Sequence, residues 1–201
     1  ELVEAEPEVI ARHSELAGKA QKASTYYERA GRRAIDRSAH TEAAAQLQRG
    51  LDLVATLDEG PDRRHQELSL LNALGTVLLA ARGYANREVE LCHERARLLC
   101  REIGDSAQLF QSLSGLFLFY VTRGDLEPAS ELAAEIHRLA ERLGGNYYPQ
   151  WAHLFRGMPL HYRGRWRPAL DHFEAAIALY DGSWQLPDGL FVETDPGLAC
   201  R

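Results

Sequence analysis

Cysteine is scarce in this sequence. The three residues, Cys92, Cys100 and Cys200, are odd in number and lack metal-like spacing. That usage fits reduced thiols in a cytosol rather than a disulfide framework. Long apolar runs are lacking too: the greasiest stretch, Leu116 to Val121, falls far short of the roughly 18 residues that span a bilayer. No excess of positive charge accumulates, because 29 acidic residues are intermixed with 23 basic ones for a formal charge of −6. Such a balance leaves no electrostatic footprint for nucleic acid. Neither a membrane nor a nucleic-acid partner is expected, and a cytoplasmic location is. The opening residues, Glu1 to Glu8, are acidic where a secretory signal would be basic and then apolar.

Chemistry-bearing motifs are also missing. A phosphate cradle needs a glycine-rich loop after a strand, ending in Lys and Ser or Thr. Gly18-Lys19 lacks the earlier glycine and follows a helical pattern, and Gly144-Gly145-Asn146 suits a helix stop. No Gly-x-Ser-x-Gly elbow occurs. Eight histidines are present, with His153 and His161 eight apart on one expected helix and His172 on the next. Helical metal ligands usually stand three or four apart, and no cysteine or carboxylate completes a set here. Catalytic, cofactor and metal residues are therefore not expected, and an enzyme with a site near residues 153–172 stands as the less favoured alternative. Cys92 and His93 are adjacent and point to different helix faces, which reads as a packed cysteine beside a surface histidine. Glu127, Glu131 and Glu135, and the basic run Arg29, Arg32, Arg33 and Arg37, read as solvated faces.

What the chain does have is helical periodicity throughout, with apolar residues recurring at three and four and abundant Ala, Leu, Glu, Arg and Gln. Punctuation falls at Gly18, Ser38, Gly60-Pro61, Gly83, Gly104-Asp105, Gly124-Asp125, Gly144 to Asn146, Gly164 and Asp181-Gly182. About nine helices and no strand are predicted. Short connections make neighbours antiparallel, and a series of such hairpins stacks into an α-α superhelix, a solenoid. Internal repetition supports this reading. Gly124 and Gly164 stand 40 residues apart and are followed by aligned pairs, Pro128 with Pro168 and Ala129 with Ala169.

These residues resemble tetratricopeptide repeats, whose pattern places large, small and aromatic residues on a first helix, then Gly-x-Tyr-x-x-Ala and Phe-x-x-Ala. Gly157, Gly164, Trp166, Ala169, Phe173 and Ala176 fall at matching steps, as do Leu113, Tyr120, Gly124, Leu126 and Ala129. Upstream, Leu71, Gly75, Leu78 and Ala96 fit with extra residues near Asn86, and Tyr27, Gly31, Ala34, Ala43 and Leu47 fit another unit. The 40-residue spacing exceeds the roughly 34 of the standard repeat, which marks a divergent subclass. One array over 1–201 is expected, in units 7–37, 24–57 (overlapping), 66–103, 106–144 and 147–181. Residues 182–201 would be an irregular loop and the start of a truncated next repeat.

A narrower resemblance is to the repeat regions of bacterial multidomain signalling ATPases, often of adenylate or guanylate cyclase-containing or transcriptional-regulator type. The segment from Pro7 to His13, continuing through Ala17-Gly18 and Tyr27 to Ala34, is similar to the stretch where the ATPase portion of such proteins gives way to repeats. Phe173 to Tyr180 followed by Asp195 to Cys200 resembles a second phrase, interrupted from Ser183 to Gly189. The resemblance implies a sensor or regulatory arm that binds a protein or peptide partner, or the neighbouring ATPase domain, with catalysis elsewhere. A stand-alone adapter is the alternative.

In such a scaffold the first helix of each hairpin lines the concave surface. The expected groove residues are Gln111, Ser114, Leu118, Val121 and Thr122 from one repeat, and Trp151, Leu154, Met158, His161 and Tyr162 from the next. Packing between repeats would use the same residues. The set lacks the Lys and Asn that clamp a peptide's terminal carboxylate. Truncation would expose apolar surface at the terminal repeats, so the fragment is expected to self-associate.

Overall fold

The computed structural model describes residues 6–83 and 86–180, and these are all-α: nine helices and no strand among them. The helices are α1 (Pro7–Leu16), α2 (Ala20–Asp36), α3 (His40–Val54), α4 (Pro61–Arg82), α5 (Arg87–Ile103), α6 (Ser106–Arg123), α7 (Leu126–Leu143), α8 (Tyr147–Tyr162) and α9 (Trp166–Ala178). The expected stop at Asp181-Gly182, the loop from Ser183 to Gly189, the Asp195 to Cys200 phrase and the third cysteine lie outside the described residues.

Local sequence sets the ends. Pro61 opens α4, where its missing N–H costs nothing. Asn86 and Asp105 each accept a backbone N–H of their helix's first turn, from Glu88 at 2.8 Å and from Gln108 at 3.0 Å. Gly124 closes α6 in the left-handed region (φ 79°), a conformation that L side chains rarely adopt.

The chain divides into two compact units, Glu1–Gly104 and Asp105–Arg201. The boundary falls at the junction between the expected repeats 66–103 and 106–144. In the first unit each of α1 to α4 packs on the next in sequence, with a lighter contact between α2 and α4. In the second, α6, α7, α8 and α9 follow the same rule, with a lighter contact between α6 and α8. Sequential packing of this kind is what stacked hairpins produce.

Small residues govern how closely paired helices approach. A Cβ on Gly31 would stand 2.6 Å from Leu47, one on Gly75 2.6 Å from His93, and one on Gly157 2.3 Å from Phe173. In each case a glycine of the hairpin's first helix seats a large residue of the second, so ridge enters groove at short range. The interiors differ in composition. The second unit is built on Phe110, Leu113, Phe117, Ile136, Trp151 and Phe155, with Phe117 and Phe155 at 4.6 Å between ring centroids. Ala, Leu and Val dominate the first, with Leu47, Leu68, Leu70, Leu78 and Leu99 fully buried.

Candidate binding surface

The expected groove residues separate into three groups. Gln111, Ser114 and Val121 on α6, and Trp151 and Leu154 on α8, are buried. Leu118 and Met158 are half-buried and pack against the same aromatic interior. Thr122, His161 and Tyr162 are exposed. Hydroxyls here turn inward upon their own helix: Ser114 Oγ donates to the Phe110 carbonyl at 2.7 Å, and Thr122 Oγ1 donates to that of Leu118. Trp151 tilts against Phe155 at 5.6 Å. Its indole and the Leu154 side chain serve packing between helices, so the exposed part of the expected patch is its C-terminal end.

That end continues onto α9. Tyr162 is 60% exposed, Trp166 63%, Leu170 54% and Ile177 38%. Trp166, Leu170 and Ile177 are spaced by four and seven, which aligns them on one face of α9. His161 stands edge-on to Trp166, with ring centroids 4.9 Å apart. The opposite face of α9 is the seated one, with Ala169 and Ala176 buried and Phe173 over Gly157. In the sequence Trp166 stands out only as a position of the repeat pattern, and Leu170 and Ile177 belong to no motif.

The histidines regroup. His153 Nδ1 lies 3.1 Å from His172 Nδ1, across α8 and α9. The third member is His137 of α7, whose ring stands edge-on to that of His153 at 5.0 Å. His161, the expected third, sits with Tyr162 and Trp166 instead. Burial and then neighbouring cations hold the His153 and His172 imidazoles below their ordinary value of 6.5. Among the described residues no group of three or more His, Cys, Asp or Glu side chains is arranged to hold a metal ion.

His93 corrects an expectation. Read as a surface residue, it is 1% exposed, and neither ring nitrogen has a hydrogen-bond partner. It occupies the space that Gly75 leaves on α4. Burial pushes its imidazole down to about 4, so it is neutral at physiological pH. Cys92 beside it is buried as expected, its thiol pushed up to about 12 by burial and by Glu88.

Several charges on the solvated faces are paired. In the basic run, Arg32 binds Glu28 at 2.9 Å, Arg37 binds Glu42 at 3.3 Å, and the Arg29 guanidinium lies 5.0 Å from the Tyr26 ring. Glu127 reaches Arg163 at 2.7 Å. Glu15 accepts from both Arg49 and the Tyr27 hydroxyl, the latter at 2.6 Å, which ties α1 to α2 and α3. The Arg49 bond, with that of Tyr27, holds the Glu15 carboxyl below its ordinary 4.5. A cleft of about 360 Å³ opens among α3, α4 and the start of α5, lined by Ala44, Gln48, Leu74, Leu78, Arg82 and Glu88 among others. Its rim carries the Arg82–Glu88 pair at 2.5 Å.

No family model matches this chain, and no curated protein matches it either. No helix among the described residues is long and apolar enough to cross a membrane.

Proposed function

We propose that this chain is a tetratricopeptide-like scaffold that works by binding, as the sensor or regulatory arm of a larger signal-transducing ATPase or cyclase. The observation that carries the binding half is the exposed stripe of Tyr162, Trp166, Leu170 and Ile177 at the end of α8 and along α9. A large side chain gains about 1.5–3 kcal/mol between full exposure and full burial, so covering these partly exposed ones gains roughly half of that each, and aromatic anchors are what binding hot spots favour. A protein or peptide partner presenting an apolar helical face, or the neighbouring ATPase domain, fits a stripe of this spacing. The ATPase half rests on the resemblance of residues 7–34 to the junction of such proteins. A ligand or partner regulates the whole only by binding one of its arrangements better than the other.

The test replaces Trp166 and Leu170 together by Glu in the intact polypeptide. Both side chains are solvent-facing, so the helical signal in circular dichroism should be retained. Nucleotide turnover should change severalfold because the regulatory contact is lost. Unchanged turnover with an unchanged fold would count against the stripe as the working surface.

A second reading has one observation in its favour, the 3.1 Å approach of His153 to His172. Such a pair could exchange a proton with a substrate, as an enzyme near residues 153–172 would require. Replacing both by Asn without loss of activity in the intact protein would remove that reading.

A further inference from the structure

Three imidazoles meet across three successive helices of the second unit, His137 on α7, His153 on α8 and His172 on α9. Nδ1 to Nδ1 at 3.1 Å is a hydrogen bond that exists only while one nitrogen carries a proton and the other presents a lone pair. Protonate both rings and the acceptor is lost, leaving two N–H groups and two positive charges facing each other. The surroundings sharpen this. Arg156, three residues along α8 from His153, disfavours a charge on both rings, and His137 does the same from α7. The opposing groups are fewer: Asp171 beside His172 on α9, and Glu141 on α7, 3.9 Å from His137 Nε2 and mostly exposed.

The element these groups hold buries few of its own side chains. On α9 only Ala169 and Ala176 are buried, with Phe173 half-buried over Gly157. Its other face is the exposed stripe. A helix that buries few side chains opens locally before the rest of its unit.

We propose that His137, His153 and His172 form a proton-operated latch, which holds α9 on α8 at neutral pH and releases it when the cluster is protonated in mildly acidic conditions. The sign follows from linkage. Both latch imidazoles are held below their ordinary 6.5 in the folded chain, so their contribution is whole above that value and is lost as pH falls through and below it. The latch is independent of which partner the α9 face takes, and of whether it takes one.

The test is amide hydrogen exchange on the intact chain at pH 7.5 and pH 5.5, with each rate expressed as protection relative to the unstructured peptide at the same pH. Amides of α9 should lose about tenfold more protection than those of α6 in the same unit, because charging the pair releases α9 and leaves the hold on α6 untouched. In His172→Gln, which keeps a hydrogen-bonding side chain without the titration, the differential loss should shrink below about twofold. His153→Gln provides the same comparison should the first variant not fold. Equal losses in α9 and α6, or a full tenfold differential loss persisting in the Gln variants, would overturn the latch.

Discussion

The two units share a hairpin plan but not a means of cohesion. The first is closed by aliphatic side chains and alanines, cross-tied at its start by the Glu15, Tyr27 and Arg49 cluster, and it encloses a neutral histidine with no hydrogen-bond partner. The second is closed by aromatic rings, and its three clustered histidines are half-buried. Both contain titratable groups that resist charging, yet the consequences differ. Protonating His93 charges the middle of a packed interior and threatens the whole unit, whereas protonating the His153–His172 pair strikes the hold on one helix, α9.

The comparison breaks most sharply on the aromatic interior. Phe155→Ala removes a ring that contacts Phe117 and Trp151 and should cost about 3–5 kcal/mol. Trp151 and Trp166 both lie in the second unit, so intrinsic fluorescence should show the earlier melt while exchange at α4 and α5 amides stays protected. Loss of protection in both units together would mean that they do not unfold separately.

His93→Leu comes next and acts on the first unit. His93 has its folded value near 4 against an ordinary 6.5, so stability is whole above 6.5 and is lost as pH falls toward 4. The variant should remove that loss, a relative gain of about 2 kcal/mol at pH 5, with little gain at pH 7.5. Thermal melts of α5 by exchange at the two pH values read it directly. A pH dependence identical to that of the parent chain would contradict it. Tyr27→Phe is the smallest effect: it removes one hydrogen bond to Glu15 and should cost about 1 kcal/mol near neutral pH. The difference should fade below pH 4.5, as Glu15 protonates and its stabilisation is lost.

Much of the fold was legible in the sequence, and for identifiable reasons. Gly83, Gly104, Gly124, Gly144 and Gly164 all adopt positive φ at helix ends, so punctuation located the turns. Gly31 with Leu47 and Gly157 with Phe173 stand at positions of the repeat pattern, and each pair meets across a hairpin. The candidate site was less legible. On α6 apolar residues occur all round, from Phe110 to Val121, so periodicity does not separate a groove face from an interior one, and Gln111 and Ser114, expected in the groove, are buried. His93, expected at the surface because adjacent residues point to different helix faces, is buried: neighbours stand about 100° apart, close enough to share one broad buried stripe. The buried set on α5, Val89, Cys92, His93, Ala96, Leu99 and Cys100, is a stripe two residues wide, and that three-four rhythm was visible in the sequence. The approach of His137 to His153 depends on how α7 lies on α8, which no local pattern encodes.

The most direct test of the central claim is to read the coding sequence upstream of Glu1. If this chain is the regulatory arm of a signal-transducing ATPase, the reading frame continues upstream into a domain with a Gly-x-x-x-x-Gly-Lys-Ser/Thr loop, whose backbone amides cradle phosphate. A start codon close to Glu1 with no such loop anywhere in the frame would contradict that account and leave a free-standing adapter.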